Sequence, residues 1–358
     1  MSLVIVEAET APDGTPFNFE IVWHVAAGHV SLNTLKIDAS EEIFPLNHPF
    51  RISRGSRTEA SVIAISVNDG QCTGRGEGVP IARYNQSADS VLAQINSIAT
   101  IRDLDRAKLA DFLPAGAARN ALDCALWDLE AKRAGKRAWE LANIPIVDQV
   151  ETSFTISLDT PANMGDAAAA AFDSPILKLK LGGDADDLAR VKAVRAATSS
   201  ARLLVDANES WSADHYRNSV SVLKELGVEL IEQPFPATRD EVLESLDRPI
   251  PVCADESCHT TNDLPRLKDR YDAINIKLDK TGGLTEALAL YQRARENNFK
   301  ILIGCMVCTS LSIAPARLLA SNAEWVDLDG PLLVARDRDH GLAYHNGKIG
   351  MPVPELWG

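Results

Sequence analysis

No run in this chain approaches the roughly 18 consecutive apolar residues that a membrane-spanning helix needs. The N-terminus, MSLVIVEAETAPDGTPF, carries acidic residues and lacks the basic stretch before an apolar core that marks a signal peptide. A cytoplasmic protein is expected. Positive charge is short as well: 36 Lys and Arg stand against 50 Asp and Glu, a net charge of −14. Nucleic acid and anionic membrane are therefore disfavoured as partners, because both demand a basic face. A small anionic substrate held by a few local cations stays compatible. Cysteines are few and scattered (Cys72, Cys124, Cys253, Cys258, Cys305, Cys308), and a cytosolic chain of this size needs no disulfides. The pair in 305-CMVC-308 has the spacing of a redox or zinc motif. It lacks a second such pair or a nearby His and sits in the apolar run ILIGCMVC, which favours packing or pocket lining. The glycine-rich 74-GRGEG-78 lacks the GxGxxG spacing, and no helix signal follows it. It reads as a turn at a strand end, not a dinucleotide loop.

What is present is ordinary globular composition, 46% hydrophobic and 24% charged, over 358 residues. That length suggests one large domain and a smaller one. Residues 35–75 hold short alternating segments such as 60-ASVIAISVNDG-70, with a turn signal at Asn68-Asp69-Gly70, and predict an antiparallel sheet. Residues 87–142 read as helices; 115-AGAARNALDCALWDLEAKRAGK-136 has apolar residues at helical spacing and a stop at Gly135. From about residue 150, short apolar strands alternate with amphipathic helical stretches in units of roughly 25 residues. Strand ends fall near Ser157, Lys180, Asp206, Glu232, Asp255, Lys277, Gly304 and Asp329. Strand–helix alternation implies parallel strands with helical crossovers, and eight such units close into a barrel.

In such a barrel the C-terminal strand ends meet on one face, where barrel enzymes place their chemistry. Those ends read 178-KLK-180, 204-LVDAN-208, 230-LIEQPF-235, 252-VCADES-257, 274-INIKLDK-280 and 326-VDLDGP-331. Asp206, Glu232 and Asp255 come from three consecutive strands. Three converging carboxylates repel one another unless a cation sits among them. Oxygen ligands without His or Cys suit Mg²⁺. Lys178 and Lys180 share one face of their strand, because side chains alternate. Lys180 aligns in the repeat with the carboxylates, and Lys277 holds the equivalent place on the sixth strand. Strands two and six lie diametrically opposite in an eight-strand barrel. Two amines would thus flank a bound substrate, the geometry for removing a proton from one side of a carbon and returning it from the other. A proton alpha to a carboxylate is very weakly acidic, so a cation on the carboxylate oxygens must stabilise the enediolate. The bases must be neutral near pH 7, against about 10.4 for free Lys. A neighbouring ammonium and a divalent cation push that value toward roughly 7–8, so Lys178 is expected to stay charged and depress Lys180.

KLK, VDAN, IEQPF, ADES and INIKLDKTGG, in that order, resemble the enolase superfamily in its muconate-lactonizing subgroup. The resemblance covers about residues 35–358. It implies an α/β fold, a modified (β/α)₈ TIM-type barrel with an N-terminal α+β capping domain. It also implies Lys180 and Lys277 as acid/base catalysts, Lys178 as a stabiliser of the carboxylate, and Asp206, Glu232 and Asp255 as ligands of one Mg²⁺. Within the subgroup, 327-DLD-329 followed by Gly-Pro is similar to the acidic pair with which dipeptide epimerases hold a free α-ammonium. Residues two apart on the eighth strand would share a face, and paired carboxylates suit a cation. The segments 49-PFRISRGSRTEA-60, AGAARNALDCALWDL, ADESCHT and GCMVCTS resemble bacterial L-Ala-D/L-Glu epimerases. By that similarity Arg54 or Arg57 binds the side-chain carboxylate of a glutamyl residue, and Thr155 and Cys305 line the pocket. The loop 80-PIARYNQSAD-89 departs from the epimerase pattern and leaves the second residue of the dipeptide open.

The expected organisation is an N-terminal extension (1–34), a capping domain (35–149), the barrel (150–330) and a C-terminal segment (331–358) packing back on the cap. The expected activity is Mg²⁺-dependent epimerisation of L-Ala-D/L-Glu by 1,1-proton transfer, in recycling of cell-wall peptides. The expected partner is a small dipeptide, with oligomeric state left open. The same machinery would serve N-succinyl amino acid racemization, o-succinylbenzoate synthesis or cycloisomerization. Those substrates lack a free ammonium, so Asp327 and Asp329 argue against them. A barrel that binds without catalysis is the remaining alternative.

Overall fold

The computed structural model describes residues 35–101 and 104–358, together with Ser2–Leu3 and Trp23–His24, which pair antiparallel. The rest of the expected extension lies outside the described residues. The cap is a three-stranded antiparallel sheet, Lys36–Ile52, Gly55–Asn68 and Thr73–Gly78, covered by helices that include Ala88–Ile98 and Ala117–Ala134. The alternation read in 60–67 is real: Ile63, Ile65 and Val67 pack with Ala117, Ala121 and Leu122 in one apolar cluster.

The segment 74–78 is not a turn. It lies within a strand, and its alternate glycines let a helix come unusually close. A Cβ added at Gly74, Gly76 or Gly78 would stand 2.0, 2.0 or 2.3 Å from the carbonyl oxygens of Ala125, Ala121 and Ala117. Every second strand residue meets successive turns of the helix, so any side chain there would collide with backbone.

The barrel strands are Ser153–Ile156, Ile176–Lys180, Arg202–Asp206, Val228–Glu232, Val252–Ala254, Ala273–Ile276, Lys300–Gly304 and Trp325–Asp327. Each pairs in parallel with the next, first to eighth. At the seam between eighth and first, side chains take over from the ladder. Ser153 Oγ donates to Asp327 Oδ1 at 2.6 Å, and Leu328 N donates to Thr152 Oγ1 at 2.9 Å.

Alternation divides each strand between two environments. Leu177, Leu179, Leu203, Val205, Ile231, Val252, Ile274, Ile276, Ile301 and Ile303 face the surrounding helices in the main core. Ile176, Leu204, Leu230, Cys253, Ala273, Leu302 and Trp325 form a separate inner cluster. Two residues further along those inward rows stand Lys178, Asp206, Glu232, Asp255, Asn275 and Asp327. The barrel interior therefore has an apolar floor with a charged layer directly above it.

The tip of the cap hairpin is fastened to the mouth above that layer. Arg51 N donates to Ser157 Oγ at 2.6 Å, Leu158 N to Arg51 O at 3.0 Å, and Ser53 Oγ to Asn208 O at 3.1 Å. The chain end returns to the cap: Trp357 Nε1 donates to Cys124 O at 2.9 Å and Gly358 N to Asp128 Oδ1 at 2.7 Å. Among the described residues no helix is long and apolar enough to cross a membrane.

Candidate active site

Both lysines of the KLK run point into the barrel. Lys178 Nζ lies 2.7 Å from Asp327 Oδ2, 2.7 Å from Glu232 Oε2 and 3.3 Å from Asp206 Oδ2. Lys180 Nζ lies 2.6 Å from Asp206 Oδ2 and 5.9 Å from the centre of the Phe50 ring, which belongs to the cap hairpin. Across the barrel, Lys277 Nζ lies 2.7 Å from Asp255 Oδ2 and 3.8 Å from Glu232 Oε1. All three side chains are buried, and ammonium groups survive there only because carboxylates face them. Burial opposes the charge on Lys178, but Asp327, Glu232 and Asp206 outweigh it and raise its pKa well above the usual lysine range. On Lys277 burial is likewise overcome, by Asp255 and Glu232, and its pKa is raised.

The carboxylates respond in kind. Burial pushes Asp206 up, but Lys180 and Lys178 bring it down to about 2. Asp255 is held well below the usual range by Lys277 and Lys280 against the same burial penalty. Glu232 is raised by burial and by Asp206 beside it. Among the described residues no three His, Cys, Asp or Glu side chains are gathered in metal-holding geometry. Asp206, Glu232 and Asp255 are instead each turned onto ammonium groups.

Asp329 corrects the expectation for the eighth strand. That strand ends at Asp327, and Asp329 precedes the short helix Gly330–Leu333, so the two acids do not share a strand face. Their carboxylates still flank the first strand: Asp327 accepts from Ser153 Oγ, and Asp329 Oδ2 accepts from Thr155 N at 2.7 Å. Burial and the neighbouring Asp327 raise Asp329 to about 7. Thr155 is buried beside this pair, and Cys305 is half-buried after the seventh strand.

The two arginines part ways. Arg54 is committed to the barrel: Nη2 lies 2.6 Å from Glu256 Oε1, and Nη1 lies 2.7 Å from Asn208 O and 3.1 Å from Glu209 Oε2. Arg57 is exposed on the hairpin and has no carboxylate partner among the described residues. It stands opposite Phe50 in the cap ladder, on the face that looks toward Lys180.

Several residues of the site were not singled out from sequence. Lys280 folds back beneath Asp255, with Nζ 2.7 Å from Oδ1, 2.6 Å from Asp255 O and 2.8 Å from Asn275 O. Asn275 Nδ2 donates to Glu232 Oε1 at 2.8 Å. Glu209 grips Arg83 with both oxygens, at 2.8 and 2.9 Å. Alternation back from Lys277 would have found Asn275. The folding back of Lys280 depends on the tight turn after Lys277 and left no periodic signal.

The whole is a parallel eight-strand barrel with an α+β cap, with inward lysines on the second and sixth strands and acids between them. Residues 36–142 match the mandelate racemase / muconate lactonizing enzyme N-terminal domain, and residues 163–354 the enolase C-terminal domain-like family; the chain belongs to that superfamily. It is 44% identical over 322 residues to the L-Ala-D/L-Glu epimerase of Escherichia coli K12, covering 89% of this chain and 99% of the relative. It is 45% identical over 301 residues to the N-acetyl-D-glutamate racemase of a Pseudoalteromonas species, covering 83% and 95%. It superposes with a TM-score of 0.87, at 48% identity over 90% of this chain and 100% of the other, on an enolase family member from Agrobacterium tumefaciens with homology to dipeptide epimerases. That structure holds sodium and L-Ala-L-Glu with an ordered loop. The chain is an isomerase of the epimerase and racemase kind.

Proposed function

We propose that this enzyme epimerises L-Ala-D/L-Glu, and dipeptides like it, by proton exchange at Cα of the C-terminal residue. The observation that carries the reading is the pair of inward ammonium groups, Lys180 and Lys277, on the second and sixth of eight strands, with acids between them. A substrate lying over the apolar floor would present one face of its α-carbon to each. One lysine takes the proton and the other returns one from the opposite side. Asp206, Glu232 and Asp255 would hold one Mg²⁺: they offer only oxygen donors, each has an oxygen facing an ammonium that a cation can replace, and a homologous dipeptide epimerase from Methylococcus capsulatus binds Mg and a dipeptide. Mg²⁺ supplies there the positive charge that lets a substrate carboxylate accept a second negative charge. With their charge so engaged, the carboxylates would no longer hold Lys277 protonated, and its burial would then favour the neutral amine a base requires.

Lys178 keeps its charge beside Asp327 and steadies the substrate carboxylate. Asp327 and Asp329 face the α-ammonium of the first residue, with Thr155 and Cys305 along the wall. Arg57, rather than the committed Arg54, receives the glutamyl side chain. A role in recycling cell-wall peptides follows from that substrate.

A second reading is an N-acyl-glutamate racemase, favoured by the resemblance to the N-acetyl-D-glutamate enzyme. It needs the same lysines and Arg57 but no ammonium subsite. Incubating L-Ala-L-Glu, L-Ala-D-Glu and N-acetyl-L-glutamate separately with enzyme and Mg²⁺ in D₂O separates the two. Cα deuterium and the opposite epimer from the dipeptides support the first reading; exchange confined to N-acetylglutamate supports the second. No exchange with any of them defeats both.

A further inference from the structure

Each of the three proposed metal ligands has one carboxylate oxygen held by a group that is not a proposed base. Asp206 Oδ1 accepts from Asn208 N at 2.9 Å, Glu232 Oε1 accepts from Asn275 Nδ2 at 2.8 Å, and Asp255 Oδ1 lies 2.7 Å from Lys280 Nζ. The other oxygen of each faces a lysine of the charged layer: Lys180 at 2.6 Å, Lys178 at 2.7 Å and Lys277 at 2.7 Å. One oxygen of Asp206 and one of Glu232 are thus hydrogen-bonded by the scaffold, one of Asp255 is held by an ion pair alone, and the twin of each faces a lysine.

Of the three pins, Asn275 is the one whose presence only this role explains. It is fully buried, two residues before Lys277 on the inward row, just above Ala273 of the apolar floor. A buried amide is costly unless its polar atoms are used. Its Oδ1 has no hydrogen-bond partner among the described residues, so the one side-chain hydrogen bond it makes there serves Glu232. The seventh strand makes room for it: a Cβ added at Gly304 would stand 2.5 Å from Asn275 Oδ1 and 2.8 Å from Nδ2.

We infer that Asn275 is a positioning residue that fixes the Glu232 carboxylate so that a single oxygen, Oε2, is presented to the divalent cation, and that Gly304 is small in order to seat it. The inference rests on the metal reading above. Groups that hydrogen-bond a metal ligand typically govern affinity by about 10–100-fold when removed.

The test is Mg²⁺ titration calorimetry on the full chain at pH 8, for wild type, Asn275→Ala, Asn275→Asp and Gly304→Ala, with melting curves in EDTA to show that each is folded. Wild type should bind Mg²⁺, and Asn275→Ala should bind it on the order of 10–100-fold more weakly. Asn275→Asp keeps the shape but sets a carboxylate against Glu232 Oε1, so it should bind no better than the Ala variant. A residue that merely fills space would give the isosteric Asp variant near-wild-type affinity. Gly304→Ala should weaken Mg²⁺ binding with Asn275 unchanged in identity. If wild type binds Mg²⁺ and the folded Asn275 variants bind it equally well, the positioning role is wrong. If wild type binds none, the metal reading falls and this inference with it.

Discussion

Lys180 and Lys277 are separated by the width of the barrel mouth, and that separation makes their roles distinguishable. In the proposed reaction each faces one side of the substrate carbon, so removing one should abolish epimerisation while leaving the other able to exchange the proton of one epimer. Lys180→Met and Lys277→Met should each lower epimerisation by at least about 10³-fold. In D₂O each should retain Cα exchange with only one of L-Ala-L-Glu and L-Ala-D-Glu, and opposite ones. Loss of all exchange in both variants, with Mg²⁺ binding intact, would count against two independent bases. Arg57→Ala should lower kcat/KM for a Glu-terminated dipeptide by roughly 10–100-fold, the worth of a lost charge-assisted contact, and leave an Ala-terminated dipeptide nearly unchanged. Equal losses for both substrates would take Arg57 out of the side-chain subsite. Asp329 gives a pH dependence of definite sign. Its pKa is raised to about 7 by burial and by Asp327, so it takes up a proton as pH falls through that value. An α-ammonium binds the ionised acid. KM for L-Ala-L-Glu should therefore rise between pH 8 and pH 6, while KM for N-acetyl-L-glutamate, if that compound is turned over, should not rise in the same way.

At the scale of elements, the notable junction is between the cap and the third barrel strand. Asn208 and Glu209 both adopt positive φ, 45° and 68°, conformations that cost energy for side-chain-bearing residues. The return is visible: Glu209 binds Arg83, Arg54 and Ala237 N, so one carboxylate ties two cap segments to the barrel. Glu209→Gln keeps the shape but loses the charge that holds two guanidinium groups. Hydrogen exchange should accelerate in residues 50–58 and 80–86 and stay unchanged in the barrel strands. Unaltered exchange in both segments would show that the other cap contacts suffice. The cap sheet teaches a related lesson about reading sequence. GRGEG suggests a turn when glycine is read for its freedom. The structure uses the same glycines for their lack of a side chain, because the helix Ala117–Ala134 presses its backbone onto them. A chain-local reading cannot distinguish these uses, since the helix residues met by Gly78, Gly76 and Gly74 lie 39, 45 and 51 residues further along the chain.

For the molecule as a whole, the charged layer sets a large electrostatic cost against the apolar floor beneath it. Buried Lys178, Lys180, Lys277 and Lys280 balance buried Asp206, Glu232, Asp255 and Asp327 only as a group, so a cation joining them shifts global stability. A ligand that binds only the folded state at about 100 times its Kd adds about 2.7 kcal/mol. The melting temperature should therefore rise by several degrees with saturating Mg²⁺ and fall again on adding EDTA. A melting curve indifferent to Mg²⁺ and EDTA would contradict a cation site in this layer.

The order of elements, the near-closed ring of eight parallel strands and the acids and lysines at their ends were legible in the chain, because strand period and repeat length are local properties. Alternation even implied that Lys178 and Lys180 share a face. Alignment of Lys180 with the carboxylates in the repeat put that face inward, as the barrel has it. Hydrophobicity could not choose, because both sides of these strands are buried: one against helices, the other over the floor of the barrel. That Asp327 rather than Asp329 ends the eighth strand only the packed barrel decided. The same holds for the partners of Arg54 and Arg57. They lie three residues apart on one hairpin, and only its docking on the mouth gives Arg54 the carboxylates of Glu256 and Glu209 and leaves Arg57 without one among the described residues, which is why Arg57 is proposed to receive the glutamyl side chain.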